Sequence, residues 1–321
     1  MTFNTPILLI SWKRPKETSR VIEAIGKVRP SKMYVTSDGP RSNNNSDIEN
    51  ISETRQIIKE KINWETELKT LFHDKNNGCM KGVSMAINWF FENEEEGIVL
   101  EDDCVPHPDF FYFCEKLLEK YRNDQRIWCI TGNNLQGDKW RGQGSYYFSR
   151  YNHCWGWASW KRCWKNYDVL ISDWPSIKKT DALKSLFFHK KEVKHWQKTF
   201  DSIHYLNQPD TWDYQWTYLC FMNSGLTAIP NRNLIENIGF NKEATHTKVG
   251  NSPAKLDNYE KNKSGIFPLV HPKYIIRSEQ ADRFTEIKYF SGPNIFSFLF
   301  LLKQLKRVIN KIKSLKLKSK N

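Results

Sequence analysis

Short apolar runs alternate with amphipathic stretches along roughly the first 130 residues of the chain. The runs are rich in Ile, Leu and Val, which is typical of buried strands. They predict strands at residues 6–11, 33–37, 68–72, 97–100 and 126–131. Strands that alternate with helices in this way predict repeated β-α units around a mostly parallel sheet.

Three of the intervening stretches place apolar residues at helical spacing. The three predicted faces comprise Val21, Ile22, Ile25 and Val28; Val83, Ala86, Ile87, Phe90 and Phe91; and Phe110, Phe113, Cys114, Leu117, Leu118 and Tyr121. Pro108 and Asp109 are typical start signals for the third helix. The predicted fold class is therefore α/β, Rossmann-like, with helices flanking a mostly parallel central sheet.

The amino-acid composition changes at about Gly137, beyond which Gly, Trp and Tyr are frequent and irregularly spaced. Ten of the 13 Trp lie between Trp128 and Trp216. We predict a nucleotide-binding half at 1–137, an acceptor-binding half at 138–285 and a separate C-terminal segment at 286–321. Residues 230–267 are polar and are predicted to form a loop.

The C-terminal segment carries much of the net charge of +13, with eight Lys or Arg and no acid from Lys303 onward. Apolar residues recur at helical spacing between these bases, which predicts a basic amphipathic helix lying on an anionic membrane surface. A helix packed on the protein's own core is the alternative. Without these eight bases the rest of the chain is only mildly basic, so nucleic acid is not an expected partner.

The N-terminal apolar run at 6–10 is too short for the core of a signal peptide, and Lys13 and Arg14 follow it. The seven Cys form no CxxC pair, which favours reduced thiols. The expected location is therefore cytoplasmic, peripherally associated with the inner face of the cell membrane.

Three consecutive acids, Glu101, Asp102 and Asp103, follow the predicted strand at 97–100. Neighbouring like charges raise one another's pKa values, and a bound cation relieves their repulsion. Ligands of open α/β sheets bind at the carboxyl ends of strands, where this triplet falls. The triplet predicts a site for Mn²⁺ or Mg²⁺, which bridge carboxylates to substrate phosphates. The alternative is a solvated acidic cluster in which Asp102 or Asp103 caps the next helix.

A series of motifs in the same order resembles the GT-A nucleotide-sugar transferases, in particular the N-acetylglucosaminyltransferase I type, and bacterial family-2-like glycosyltransferases. The series comprises residues 6–14, 36–39, 101–103, 108–111 and 128–129. The resemblance is clearest over residues 6–137 and patchy at 155–157 and 212–216. It implies a GT-A fold, a UDP-sugar donor and a metal on the donor diphosphate.

The resemblance also implies a role for each residue of the donor site. Asp38 would bind the uracil and Arg14 would lie near the nucleotide. Asp103 would hold the metal, Asp102 would face the ribose and Glu101 would contact the transferred sugar. Without the resemblance, Asp38 followed by glycine indicates no more than a turn.

Asp213 is the candidate catalytic base, because inverting glycosyl transfer needs a carboxylate to take the proton of the acceptor hydroxyl. The stretch from Trp212 to Trp216 resembles the family's Trp-Asp-Asp-Trp, although Tyr214 replaces the second acid. The alternative is that Asp210 or Asp213 simply caps the following helix.

Four further residues are candidates for binding. Trp155 and Trp157 could form a platform for a carbohydrate or lipid-linked glycan acceptor, because indole rings offer apolar faces and an N–H donor; core packing is equally compatible with them. His246 could bind the metal or the diphosphate, although an isolated His is commonly neither. Lys81 could pair with phosphate, or be an exposed lysine at a helix start.

Together these features predict an inverting glycosyltransferase that moves a sugar from a UDP-sugar to a carbohydrate hydroxyl, in bacterial surface-polysaccharide or lipid-linked glycan assembly. One alternative is a sugar-nucleotide nucleotidyltransferase, which would be expected to have a glycine-rich phosphate loop, whereas residues 11–15 contain no Gly. The other is a non-catalytic module that binds carbohydrate or membrane.

Overall fold

The computed structural model of the chain describes residues 3–137, 139–240 and 265–290. Its strands are β1 (Ile7–Ser11), β2 (Lys32–Ser37), β3 (Glu67–Phe72), β4 (Glu96–Glu101), β5 (Cys104–Pro106), β6 (Ile127–Thr131), β7 (Tyr146–Ser149), β8 (Trp157–Trp160), β9 (Leu226–Pro230) and β10 (Ile235–Asn237). All five predicted strands are present, with bounds that differ by a residue at most. They belong to an eight-stranded sheet of order β3-β2-β1-β4-β8-β6-β9-β7.

The helices are α1 (Pro15–Gly26), α2 (Asn45–Lys61), α3 (Gly78–Asn93), α4 (Pro108–Tyr121), α5 (Lys161–Trp164), α6 (Trp174–Ile177), α7 (Ala182–Leu186), α8 (Lys190–Leu206), α9 (Asp213–Met222) and α10 (Glu279–Thr285). A π-helical turn, Glu286–Phe290, follows α10. The predicted apolar faces of α1, α3 and α4 are all buried. The α/β fold class with a mostly parallel, helix-flanked sheet is confirmed.

The order of the strands brings several strand ends to one edge of the sheet. Strands β3, β2, β1 and β4 run parallel to one another. Strand β8 is antiparallel to both β4 and β6, so β6 runs in the same direction as β4. The carboxyl ends of β1, β2, β4 and β6 therefore lie along one edge, which is where open α/β sheets bind ligands.

A two-stranded ribbon lies beside this edge. Strands β5 and β10 pair antiparallel, with Asn237 opposite Cys104, the residue directly after the acidic triplet. The predicted loop at 230–267 thus includes a short strand at its start. The ribbon places residues 238–240 beside the end of β4.

Gly97 shows how closely α3 packs on β4. A Cβ atom at this position would lie 2.3 Å from the ring of Phe90 and 2.9 Å from the carbonyl oxygen of Pro6. Only glycine leaves room for the ring, so this residue sets the depth at which α3 lies on the sheet.

Most of the Trp cluster is core. The rings of Trp157, Trp164, Trp212 and Trp216 are each at most 2% exposed and pack against one another. A second group of buried aromatic residues surrounds Trp196 on α8. The dense Trp spacing in the sequence is therefore explained mainly by packing between the sheet and the short helices.

The predicted division at 137/138 falls between β6 and β7, and strands from both halves build the same sheet. The functional division of the halves stays a prediction. The basic segment beyond Phe290 and the helix predicted there lie outside the described residues. Among the residues that are described, none of the helices is long and apolar enough to cross a membrane.

Candidate functional site

The acidic triplet at the end of β4 meets the loop that follows β1. Arg14 Nη1 lies 3.1 Å from Asp102 Oδ1 and 2.5 Å from Asp103 Oδ2. The N–H of Trp12 donates to Asp102 Oδ2 at 2.9 Å. The loop after β1 and the end of β4 thus form one ion-paired unit at the ligand-binding edge.

The charges of this unit do not balance. Burial raises the pKa of Glu101 to about 8, and the negative charges of Asp103, Asp102 and Asp213 add to the shift. Burial likewise raises the pKa of Asp102 to about 6, although Arg14 opposes that change. Even with Glu101 protonated at neutral pH, Asp102, Asp103 and the nearby Asp213 carry more negative charge than the guanidinium of Arg14 can balance, and a bound cation would neutralise the excess.

Asp213 reaches the same site from the second half of the chain. It is the first residue of α9, and its carboxylate accepts a hydrogen bond from the Thr211 hydroxyl. Its charge raises the pKa of Glu101 and contributes to the raised pKa of Cys79, for which burial is the main cause. The structure therefore places the charge of Asp213 near Glu101, while its role as a base stays a prediction.

Asp38 lies just beyond the end of β2, and both oxygens of its carboxylate accept hydrogen bonds. It accepts N–H groups from the side chain of Asn76 at 2.9 Å, from the backbone of Asn77 at 2.9 Å and from the side chain of Asn77 at 2.8 Å. The backbone of Gly39 donates at 3.0 Å. These bonds fasten the loop before α3 to the end of β2, and a contact with a nucleotide base stays a prediction.

The remaining residues predicted for the site differ in how exposed their side chains are. Trp157 is 1% exposed and stacks on Trp212, so its ring faces are covered by protein. Trp155 is half-buried and packs edge-to-face on Phe240 beside the site. Lys81 is exposed in the first turn of α3. His246 lies outside the described residues.

The described residues offer few metal ligands. No group of three or more His, Cys, Asp or Glu able to hold a metal ion occurs in the described parts of the chain. Asp103 is enclosed, because its Oδ2 bonds Arg14 and a Cβ at Gly239 would lie 2.1 Å from it. Oxygen donors and excess negative charge fit a cation that takes one or two carboxylates and completes its shell with substrate phosphates. Nothing in the site distinguishes Mn²⁺ from Mg²⁺.

Two features of the site were missed by the sequence analysis. Lys13 and Arg41 both pair with the fully buried side chain of Asp47, at 2.7 and 2.6 Å, and both lie over the ring of Trp12. The signal for Lys13 was present, since it directly precedes Arg14 after the first strand. The second feature is the capping of α3 by Asp210, whose carboxylate accepts backbone N–H groups there, whereas the sequence indicated Asp210 only as a cap for the helix that follows it.

The fold is similar to those of several solved enzymes, at low identity. A cytidylyltransferase from Leptospira borgpetersenii is 14% identical, with a TM-score of 0.33 over 64% of this chain and 73% of that one. A UDP-glucose pyrophosphorylase is 11% identical, with a TM-score of 0.33 over 70% and 89%. The glycosyltransferase GlyE of Streptococcus pneumoniae is 12% identical, with a TM-score of 0.30 over 64% and 44%. Neither protein-family models nor curated proteins gave a match.

This comparison corrects the main functional prediction. Nucleotidyltransferases outnumber glycosyltransferases among these solved structures, which goes against the prediction of an inverting glycosyltransferase and agrees better with its alternative, a sugar-nucleotide nucleotidyltransferase. The resemblance to the N-acetylglucosaminyltransferase I type is not shown. A strand-end acidic site on an α/β sheet suits both reactions, so the motifs could not separate them. The likeness is one of fold, and the chemistry has to be argued from the site itself.

Proposed function

We propose that the chain is a nucleotidyltransferase that uses a divalent cation to join a nucleoside triphosphate to a sugar phosphate, giving a nucleotide sugar and pyrophosphate. The observation that carries the proposal is the unbalanced charge at the end of β4. There, Asp102 and Asp103 share the single guanidinium of Arg14, and the buried carboxyl of Glu101 lies within the field of both acids. Such a site favours a ligand that arrives together with its cation, as a nucleotide does.

The cations around β1 support a polyphosphate ligand. Lys13 and Arg41 both lie over the Trp12 ring, and Arg14 follows Lys13 in the chain. The loop contains no glycine and the N–H of Trp12 is already bonded to Asp102. Phosphate contacts would therefore come from side chains rather than from a run of backbone amides.

The reaction itself makes modest demands on the protein. A phosphate oxygen of the sugar phosphate attacks the α-phosphorus, the bond from that phosphorus to the bridging oxygen breaks, and pyrophosphate leaves with the bonding electrons. The attacking oxygen is already an anion, so no general base is needed. A cation held at Asp103 would neutralise charge on the phosphates. Asp213 is then proposed to accept a hydrogen bond from a hydroxyl of the sugar.

The other candidate residues are given roles within this proposal. Lys81, exposed in the first turn of α3, is proposed to pair with the phosphates, and Trp155 is proposed to cover a face of the sugar. Asp38 and Asp102 are proposed to lie near the base and the ribose. In this proposal residues 1–137 bind the nucleotide and residues 138–285 bind the acceptor.

Peripheral attachment of the basic segment at 286–321 to an anionic membrane is a separate proposal, supported by the charge pattern of the sequence. The full chain should sediment with vesicles that contain phosphatidylserine at low salt. A chain ending at residue 290 should not, and equal sedimentation of both forms would contradict the proposal.

Pyrophosphate release tests the proposed reaction. The chain with Mg²⁺, one of UTP, CTP, GTP or ATP, and a panel of sugar 1-phosphates should release pyrophosphate for at least one combination. Asp103→Asn should lower the rate by a factor on the order of a hundred. Release of a nucleoside diphosphate from a nucleotide sugar, with no pyrophosphate from any combination, would contradict the proposal.

A further inference from the structure

The N-terminus of helix α3 is capped by a residue distant in the sequence. Asn77, which precedes the helix, makes no capping bond with its side chain, whose NH2 group donates to Asp38 at 2.8 Å. Asp210 instead accepts the N–H groups of Cys79 at 3.1 Å and of Met80 at 2.9 Å. The first N–H groups of a helix have no partner within it, and a carboxylate there also complements the helix dipole.

Gly78 makes this contact possible. Its φ is +79°, which favours glycine, and a Cβ atom there would lie 3.0 Å from Asp210 Oδ2. Both the backbone conformation and the approach of the carboxylate therefore depend on the absence of a side chain. The start of α3 is shaped to receive Asp210.

Asp210 is one of two anchors for residues 207–212, the loop that joins α8 to α9. The other anchor is Trp212, which is 2% exposed and stacks on Trp157 at 5.7 Å. The carbonyl of Trp212 also accepts the Tyr167 hydroxyl at 3.0 Å. Asp213 follows directly, so its place depends on both anchors. Trp212 is held in the core, whereas Asp210 is exposed and bonds across to α3.

We propose that Asp210 is a positioning residue, which fastens the loop at 207–212 to the start of α3 and so sets Asp213 against Glu101. The role of Asp213 in catalysis rests on the proposed function, but the fastening of the loop does not. The contact links a loop of the acceptor half to a helix of the nucleotide half. It therefore fixes the distance between the groups that would hold the two substrates.

A purely structural role for Asp210 makes a different prediction. Loss of a helix cap costs about 1 kcal/mol of stability, wherever the helix lies. Ser278→Ala is a matched control, because Ser278 caps α10 through the N–H of Ala281, beside the edge strand β7. If Asp210 only caps, both variants should lose similar stability and leave the exchange of residues 207–212 unchanged.

Hydrogen exchange followed by mass spectrometry tests the fastening without any assay of activity. In Asp210→Ala, peptides that cover residues 77–82 and 207–216 should exchange faster than in the unaltered chain. Ser278→Ala should change neither peptide. Unaltered exchange of 207–216 in a folded Asp210→Ala chain would overturn the proposal.

Kinetics of pyrophosphate release test the link to Asp213. Asp210→Ala should raise KM for the sugar phosphate on the order of tenfold and leave KM for the nucleotide within about twofold, because a small displacement of a positioned group is costly. Asp210→Asn keeps one acceptor oxygen and should recover part of the loss. In an Asp213→Asn background, Asp210→Ala should have no further effect on the sugar-phosphate KM.

The outcomes separate the two proposals. If Asp210→Ala still raises KM for the sugar phosphate about tenfold in the Asp213→Asn background, the positioning role is overturned, even if hydrogen exchange shows that the loop at 207–212 is released. Absence of pyrophosphate release by the unaltered chain would contradict the proposed function, and the exchange result would then decide whether Asp210 fastens the loop.

Discussion

At the scale of single residues, the site is governed by how its carboxylates are neutralised. Arg14 is the cation that pairs with the triplet among the described residues, and its side chain is 23% exposed. Burial lowers the pKa of Arg14, but the charges of Asp102 and Asp103 outweigh that effect and raise it overall. The guanidinium therefore stays charged, and its loss would leave buried carboxylates without a partner.

Replacing Arg14 with Met should lower the free energy of unfolding by roughly 3 kcal/mol, because breaking one side of a buried ion pair leaves uncompensated charge. Added Mg²⁺ should raise the melting temperature of Arg14→Met more than that of the unaltered chain. Arg122→Met is the control, since Arg122 pairs with Glu96 on the surface and such pairs contribute about 0–1 kcal/mol. Equal stability of the two variants would contradict this account.

Asp47 should make stability depend on pH below its unfolded pKa. Hydrogen bonds from Arg41, supported by Lys13, lower the pKa of Asp47 to about 2, against an ordinary value of 3.8. The stabilisation is therefore complete above about pH 4 and is lost as the pH falls toward 2. Because Arg41 is half-exposed and partly screened by water, we expect roughly 1–2 kcal/mol.

Urea unfolding of the unaltered chain and of Asp47→Asn at pH 7, 5, 4 and 3 measures this contribution. The difference between the two should be constant from pH 7 to pH 5 and should shrink between pH 4 and pH 3. A difference that grows with acidity would show that the sign is wrong.

At the scale of elements, the site depends on how α3 lies on β4. Gly97→Ala should destabilise the chain by about 1–3 kcal/mol, because the added Cβ would overlap the ring of Phe90 and the Pro6 carbonyl. Gly26→Ala is the matched control near the end of α1, where the nearest atom is an ordinary contact at 3.4 Å. It should stabilise by about 0.5–1 kcal/mol. Thermal unfolding that ranked the two variants the other way would contradict the packing described here.

The elements that could be predicted from the sequence are those with a clear local pattern of apolar residues, including β3, whose residues are exposed or half-buried. Strands β1, β2, β4 and β6 are apolar runs, and α1, α3 and α4 have continuous apolar faces, so pattern alone locates them. Strand β10 has only three residues in a polar stretch, and its residues pair with residues of β5 that lie 129 to 133 positions earlier in the sequence. Such pairing is specified by the tertiary structure, and no local pattern indicates it.

In the candidate site, too, contacts between residues distant in the sequence could not be predicted from local patterns. The triplet was predicted because three acids follow an apolar strand, and Asp213 because residues 212–216 resemble the family's Trp-Asp-Asp-Trp. Asp210 was weighed as a cap for the helix that follows it, whereas it caps α3, more than a hundred residues earlier. Trp157 was weighed as a ligand platform or as core, and only the packing of its ring against Trp212 separates the two.

At the scale of the whole molecule, one sheet brings together residues from both predicted halves. The edge formed by the ends of β1, β2 and β4 carries the cations and the triplet, and α9 adds Asp213 from the other side. This arrangement explains why the choice between glycosyl and nucleotidyl transfer could not be made from motifs. Both reactions need a nucleotide, a cation and a second substrate at such an edge.

The central claim is that a nucleotide binds at the end of β4 together with a divalent cation. Titration calorimetry with UTP, CTP, GTP and ATP, each with and without Mg²⁺, tests it on the unaltered chain and on Asp103→Asn. The account predicts that at least one nucleotide binds only when the cation is present, and that Asp103→Asn abolishes this binding while the chain stays folded. Equal binding with and without the cation, or binding that survives in Asp103→Asn, would contradict it.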